Sequence, residues 1–216
     1  MPTSSSLRTL DESVPSPHSQ VTMKRLVIAL PLLLSASMLT AAPAMADDRR
    51  CTGSIGAVYV DGNVIVPRGA TCTLRGTRVD GNVEVEGNAV LVARGARVQG
   101  NIQAANHRRV LVAPRTVNHR VVRSRVGGDV QLESGGRGHV VRTVVGGNIQ
   151  VKQNRLRQVT NRNVVNGDLQ AFSNQGGFRI FGNRIDGNLQ CKSNDPRPVG
   201  DDNRVSGNKE DQCRGL

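Results

Sequence analysis

The chain has 216 residues, 29 Lys and Arg against 17 Asp and Glu, no Trp, and only four aromatic residues: Tyr59, Phe172, Phe178 and Phe181. That composition excludes an aromatic-filled globular core and any recognition surface built from stacked rings. The 24 glycines lack the triplet period of collagen, and regularly spaced Val, Ile and Leu exclude disorder.

Residues 1–22 are polar and Ser/Pro-rich and read as an upstream leader or an over-called start. Residues 23–46 read as a cleaved secretory signal: Met23-Lys24-Arg25 is its basic start, Leu26–Thr40 its apolar stretch and Ala44-Met45-Ala46 its cleavage site. An uncleaved anchor is the alternative, but the second half of the segment is Ser, Thr, Ala and Pro, poor material for a spanning helix of about 20 apolar residues. The expectation is an exported chain, periplasmic or extracellular, with residues 47–216 as the folded domain and no membrane span once processed. An oxidising compartment lets the four cysteines pair.

From residue 60 onward one phrase recurs eight times, beginning Val60-Asp61-Gly62-Asn63-Val64 and Val79-Asp80-Gly81-Asn82-Val83 and ending Val205-Ser206-Gly207-Asn208-Lys209. Its Asn or Asp residues are Asn63, Asn82, Asn101, Asp129, Asn148, Asp168, Asn188 and Asn208, separated by 19, 19, 28, 19, 20, 20 and 20 residues. A period near 20 with strand-like alternation of apolar and polar residues predicts a single-stranded parallel β-helix of about eight coils, near 38 Å long at 4.8 Å per coil. Leucine-rich repeats share the period but need a Leu framework that is absent here. The Gly-Asn pair marks a bend, where Gly tolerates positive φ and Asn or Asp tolerates left-handed geometry. Stacking the coils makes the Asn residues a hydrogen-bonded ladder. Beside it runs an apolar ladder of Val64, Val83, Ile102, Val130, Ile149, Leu169 and Leu189. Gln103, Gln131, Gln150, Gln170 and Gln190 form either a second amide ladder or a polar binding face.

The 28-residue step holds about nine residues beyond one coil, and matching His119–Ser124 to His139–Thr143 places a protruding loop near 106–118. Coil arithmetic puts Cys51 beside Cys72 and Cys191 beside Cys213, one bridge at each end, each contributing about 3 kcal/mol. Zinc is disfavoured, with no CxxC and no nearby His, and neither metal nor cofactor is expected. In the last coil Lys209 replaces the apolar ladder residue and Glu210-Asp211 follow, a charged cap that predicts a monomer.

The Gly-Asn-(Val/Leu)-Gln coils and the two stretches Gly187–Pro196 and Val205–Cys213 resemble a group of small exported bacterial proteins without an assigned activity. The resemblance covers most of residues 51–216 and implies fold and export. The glycine-punctuated coils also resemble bactofilins, cytosolic polymer-forming β-helices, from which the export signal and charged last coil depart. The Asn ladder looks like that of pectate-lyase-type β-helices, but no catalytic residue carries over.

Of the net charge of +12, +11 belongs to residues 47–216, and Gly87–Gly167 hold fourteen basic residues against Asp129 and Glu133. The densest part is Arg108, Arg109, Arg115, Arg120, Arg123 and Arg125. Guanidinium groups suit bidentate contact with carboxylate, sulfate or phosphate. The expectation is a non-enzymatic exported rod whose central arginine-rich face contacts an acidic polysaccharide, lipid phosphate or another envelope component; a solvated face that keeps the rod soluble is the alternative. Sequence-specific nucleic-acid recognition is not expected with so few aromatics. Two further alternatives are a lyase or hydrolase of acidic glycans and a self-associating envelope protein. No carboxylate pair, nucleophile or general base is clustered in sequence, and His119 and His139, 20 residues apart, read as solvated.

Overall fold

The computed structural model describes residues 47–216; the leader and signal expectations lie outside the described residues. Residues 47–216 form an all-β solenoid of about eight turns in which each coil contributes one short strand to each of three parallel sheets. One complete coil is Val83–Val85, Val90–Arg94 and Arg97–Val98, in the first, second and third sheets respectively. The first sheet has nine strands, from Arg49–Arg50 to Lys209–Asp211, and the other two have eight each.

Alternation drives the coil. Every second residue of a strand points inward, so a one-residue slip would expose the whole apolar set. The register stacks Val64, Val83, Ile102, Val130, Ile149, Leu169 and Leu189 in one file, all completely buried. Lys209 is next in that file, and its ammonium group turns to the Leu216 backbone oxygen as the chain end folds across the last coil. Both disulfides, Cys51–Cys72 and Cys191–Cys213, join neighbouring coils, with Cα separations of 5.4 and 5.2 Å. They are compatible with an oxidising environment.

The Gly-Asn ladder differs in mechanism from the expectation. Its glycines do not have positive φ; the left-handed residues sit at the other two corners, among them Asn88, Ser134 and Ser173 after the first sheet and Gly76, Gly95 and Arg162 after the second. Glycine is needed for close approach instead. A Cβ on Gly81, Gly100, Gly128, Gly147, Gly167, Gly187 or Gly207 would overlap the Oδ1 atom of the Asn or Asp one coil earlier. That Oδ1 accepts the backbone N–H of the next ladder residue: Asn82 to Asn63 at 2.7 Å, Asp129 to Asn101 at 2.7 Å, Asn148 to Asp129 at 2.6 Å and Asp168 to Asn148 at 2.8 Å. Only an acceptor is required, which is why Asp129 and Asp168 substitute for Asn. The expected Gln row forms in segments, with Gln170 donating to Gln190 at 3.0 Å and Gln190 to Glu210 at 3.1 Å.

Two more ladders run inside the C-terminal coils. Asn154, Asn174 and Asn194 fill the corner between the first and second sheets, and Asn163, Asn183 and Asn203 the corner between the second and third. Here the hydrogen bonds run the other way: each Asn donates its N–H and its side-chain amide to the Oδ1 of the following coil. In earlier coils the first of these corners holds Ala70, Ala89, His107 and Gly135. His107 is 2% exposed, and a Cβ on Gly135 would strike its imidazole ring, so the ring fills the space that glycine leaves. Both kinds of ladder are terminated by side chains from outside the repeat. Asp48 Oδ1 accepts the Asn63 N–H at 2.9 Å, and Gln212 Oε1 accepts that of Asn194 at 2.9 Å.

The extra residues of the 28-residue step form an antiparallel hairpin, Arg115–Val117 with Arg120–Val122. The loop expected near 106–118 is thereby corrected. Arg109–Ala113 is a regular coil strand in register with Val90–Arg94 and with Arg137–Val140, because Val110 and Val112 must fill the core as Leu91 and Ala93 do one coil earlier. The hairpin turn is Asn118-His119, both at positive φ (47° and 61°), the geometry of a two-residue turn matched to strand twist. His119 therefore lies at the hairpin tip, away from the coil that carries His139.

Candidate functional site

Each third-sheet strand has two residues, one inward and one outward. The inward file is Val60, Val79, Val98, Val126, Val145, Val165 and Ile185, all buried, and it ends at the half-buried Val205. The outward file, in coil order, is Tyr59, Arg78, Arg97, Arg125, Val144, Val164, Arg184 and Arg204. Three guanidinium groups thus rise from consecutive in-register strands, whose backbones lie about 4.8 Å apart. Like charges directly opposite one another on neighbouring strands repel. None of the three is ion-paired: the ion pairs among the described residues are Lys152–Glu133 and, farther along the same file, Arg184–Asp186, and Asp80 borders the three arginines without closing a direct bridge.

These arginines line a groove of about 500 Å³ along the outer face of the third sheet. Tyr59, 61% exposed, stands at its N-terminal end, and Asp80 and Gln99 border it. Gly127 and Gly146 also line it, where other coils carry Asp80, Gln99 or Asp186. Their glycine identity follows from backbone crowding, since a Cβ on Gly127 would meet the Gln99 carbonyl and one on Gly146 the Gly127 carbonyl. Tyr59 donates to Asp61 at 3.4 Å, and its hydroxyl pKa is raised, by desolvation first and then by Asp80 and Asp61.

The six arginines singled out from sequence do not share one face. Arg125 belongs to the groove. Arg109 projects from the second sheet, in register with Arg137. Around them His139 has a lowered pKa, through burial first and then the positive charges of Arg157, Arg109 and Arg137. Arg108 lies at the corner beside His107 and Arg155. Arg120 is on the hairpin, and Arg123 links the hairpin to the third sheet. Arg115 is structural in its contacts: it lies over the Gly76 and Gly95 corners and donates Nη1 to the Arg75 carbonyl at 3.1 Å, pinning the hairpin back on the coils. Ser124 closes the hairpin base with a 2.7 Å bond to the Ala113 carbonyl.

Arg78 and Arg97 escaped the sequence reading because charge was counted by local density. The signal that finds them is the coil step itself: Arg78, Arg97 and Arg125 are separated by 19 and 28 residues, the same steps as Asn82, Asn101 and Asp129.

The fold and groove define a class: a disulfide-closed parallel β-solenoid with an outward arginine file. In comparisons with known proteins, no family model, no curated protein and no solved structure gives a significant match. The likeness to bactofilins and to small exported Gly-Asn-(Val/Leu)-Gln proteins thus gains no support from them, and the solenoid of about eight turns is what stands. No helix among the described residues is long and apolar enough to cross a membrane.

Proposed function

We propose that this protein is a non-enzymatic, exported binding rod that holds an anionic polymer along the groove of the third sheet. The observation that carries the reading is the run of Arg78, Arg97 and Arg125 in register, three cations beside the single carboxylate of Asp80 and none of them ion-paired. An external chain of carboxylate, sulfate or phosphate groups removes the repulsion and gains bidentate, charge-assisted hydrogen bonds. The hairpin arginines Arg120 and Arg123 lie on the stretch that leads into Arg125 and extend the cationic surface. Export is supported by the signal-like 23–46 segment and by two cystines, and the compartment is periplasmic or extracellular. The charged last coil, with Lys209, Glu210 and Asp211, opposes end-to-end addition and supports a monomer.

Salt-gradient elution from a heparin column tests this reading. The variant with Arg78, Arg97 and Arg125 all replaced by Gln should elute at clearly lower salt than wild type. Replacing Arg108 and Arg109, which lie elsewhere, should shift elution less. Equal elution of wild type and the triple variant refutes the reading.

A further inference from the structure

The groove's geometry points to a narrower ligand class, an inference that rests on the reading just given. We propose that it holds a linear polyuronate, a polysaccharide with one carboxylate on every sugar ring, laid along the solenoid axis with one ring per coil.

Spacing is the first argument. The guanidinium groups repeat once per coil, about 4.8 Å apart at the backbone. An extended chain of pyranose rings advances by a closely similar step, so rings and coils stay in phase, and the rings whose carboxylates turn toward the groove meet arginines while the rings between them present hydroxyls. Phosphate polymers pack their charges at other intervals and match only by averaging.

Tyr59 supplies the second argument. It occupies the position before Arg78 in the same outward file and is 61% exposed at the groove's end. A solvent-facing ring there is unneeded by the core. It offers the flat apolar surface on which the C–H face of a sugar packs, with a polar hydroxyl at its tip.

The third argument is Asp80, which with Gln99 borders the groove. A carboxylate there repels a polymer that is charged over its whole surface. It accepts hydrogen bonds from sugar hydroxyls, and Gln99 both donates and accepts. Mixed polar groups beside a file of cations suit a ligand that is itself part hydroxyl and part carboxylate. The file turns apolar at Val144 and Val164, which ends the charged run. The site accordingly spans four rings: one on Tyr59 and three on the arginines.

Calorimetric titration with oligogalacturonates from dimer to hexamer, beside inorganic polyphosphate of matched charge, tests the assignment. Affinity should climb with each ring up to the tetramer and then level off. It should exceed that of polyphosphate by about tenfold, the factor that one good added contact supplies. Tyr59→Ala should weaken tetramer binding about tenfold. Arg97→Gln should weaken tetramer binding and lower the salt at which heparin releases the protein, and near-wild-type far-UV circular dichroism shows that each variant is folded. Binding that ignores oligomer length, or that polyphosphate equals, overturns the polyuronate assignment and leaves the broader anion-binding reading in place. Unchanged tetramer affinity in Tyr59→Ala overturns it too. Loss of the broader reading shows separately, as heparin elution insensitive to the arginine file.

Discussion

Replacing Asn174 by Ala probes the interior ladder directly. Asn174 is 1% exposed, and its Oδ1 accepts both the Asn154 N–H and the Asn154 side-chain amide, each at 3.1 Å. Its own amide donates to the Val151 carbonyl and to Asn194 Oδ1, each at 2.9 Å. Truncation removes four bonds. It leaves the Asn154 donors and the Val151 carbonyl short of a partner in a corner closed to water. A buried polar group without a partner costs about 1–3 kcal/mol. The Asn154 N–H is left bare, the Asn154 amide keeps only its bond to the Leu132 carbonyl, and the Val151 carbonyl loses one bond, which together come to about 3 kcal/mol. With a urea slope of about 2 kcal/mol per molar, the midpoint falls by about 1.5 M. The assay is urea unfolding followed by far-UV circular dichroism with the disulfides intact, and the control is Asn166→Ala, an exposed residue off the ladders, expected to change stability by less than about 0.5 kcal/mol. Because each coil touches only its neighbours, the loss should appear first in the C-terminal coils, as faster amide exchange there. A midpoint for Asn174→Ala that coincides with the control would refute the account of the ladder.

Three further outcomes are expected. Gly147→Ala forces a Cβ against Asp129 Oδ1 and should destabilise by about 1–3 kcal/mol, whereas Gly53→Ala, with open space around it, should be near neutral; equal thermal midpoints would contradict the close-approach role of glycine. His107 is held neutral by burial, with its pKa below the ordinary 6.5. The unfolded chain therefore takes up a proton near pH 6.5 that the native state resists. Stability should fall as pH drops below that value and level off beneath the native pKa. His107→Ala should flatten part of this slope in urea titrations across the acid range, the remainder belonging to His139. Arg115→Ala should free the hairpin, and trypsin should then cut after Arg120 or Arg123 faster than in wild type, with the coils left intact.

The solenoid was legible because its signal is redundant. Eight copies of the Gly-Asn phrase state the coil length, and alternating Val, Ile and Leu state which side is inward. The cysteine pairing followed from the same subtraction. The hairpin's position was missed because His119-Arg120-Val121-Val122 imitates His139-Val140-Val141, whereas the core required Val110 and Val112 to be the coil residues. The inner ladders were present in sequence as Asn154, Asn174 and Asn194 and as Asn163, Asn183 and Asn203, each 20 apart. They went unread because isolated Asn residues between strands look like ordinary turns. The groove was hidden for a related reason. Local charge density favours Arg108-Arg109 and the hairpin, while the groove's arginine file is a vertical grouping that appears only when residues one coil apart are superposed.

Asp48 and Gln212 do the work of a layer that is not there. Each lends a single oxygen to a hydrogen-bond chain that would otherwise stop one acceptor short, the outer chain at the first coil and an inner chain at the last. The two terminators are therefore blind to how many layers lie between them. Duplicating or deleting one whole 20-residue unit in the middle asks nothing new of either, so such a protein can lengthen or shorten by unequal crossing-over, and with it the reach of the charged file it displays.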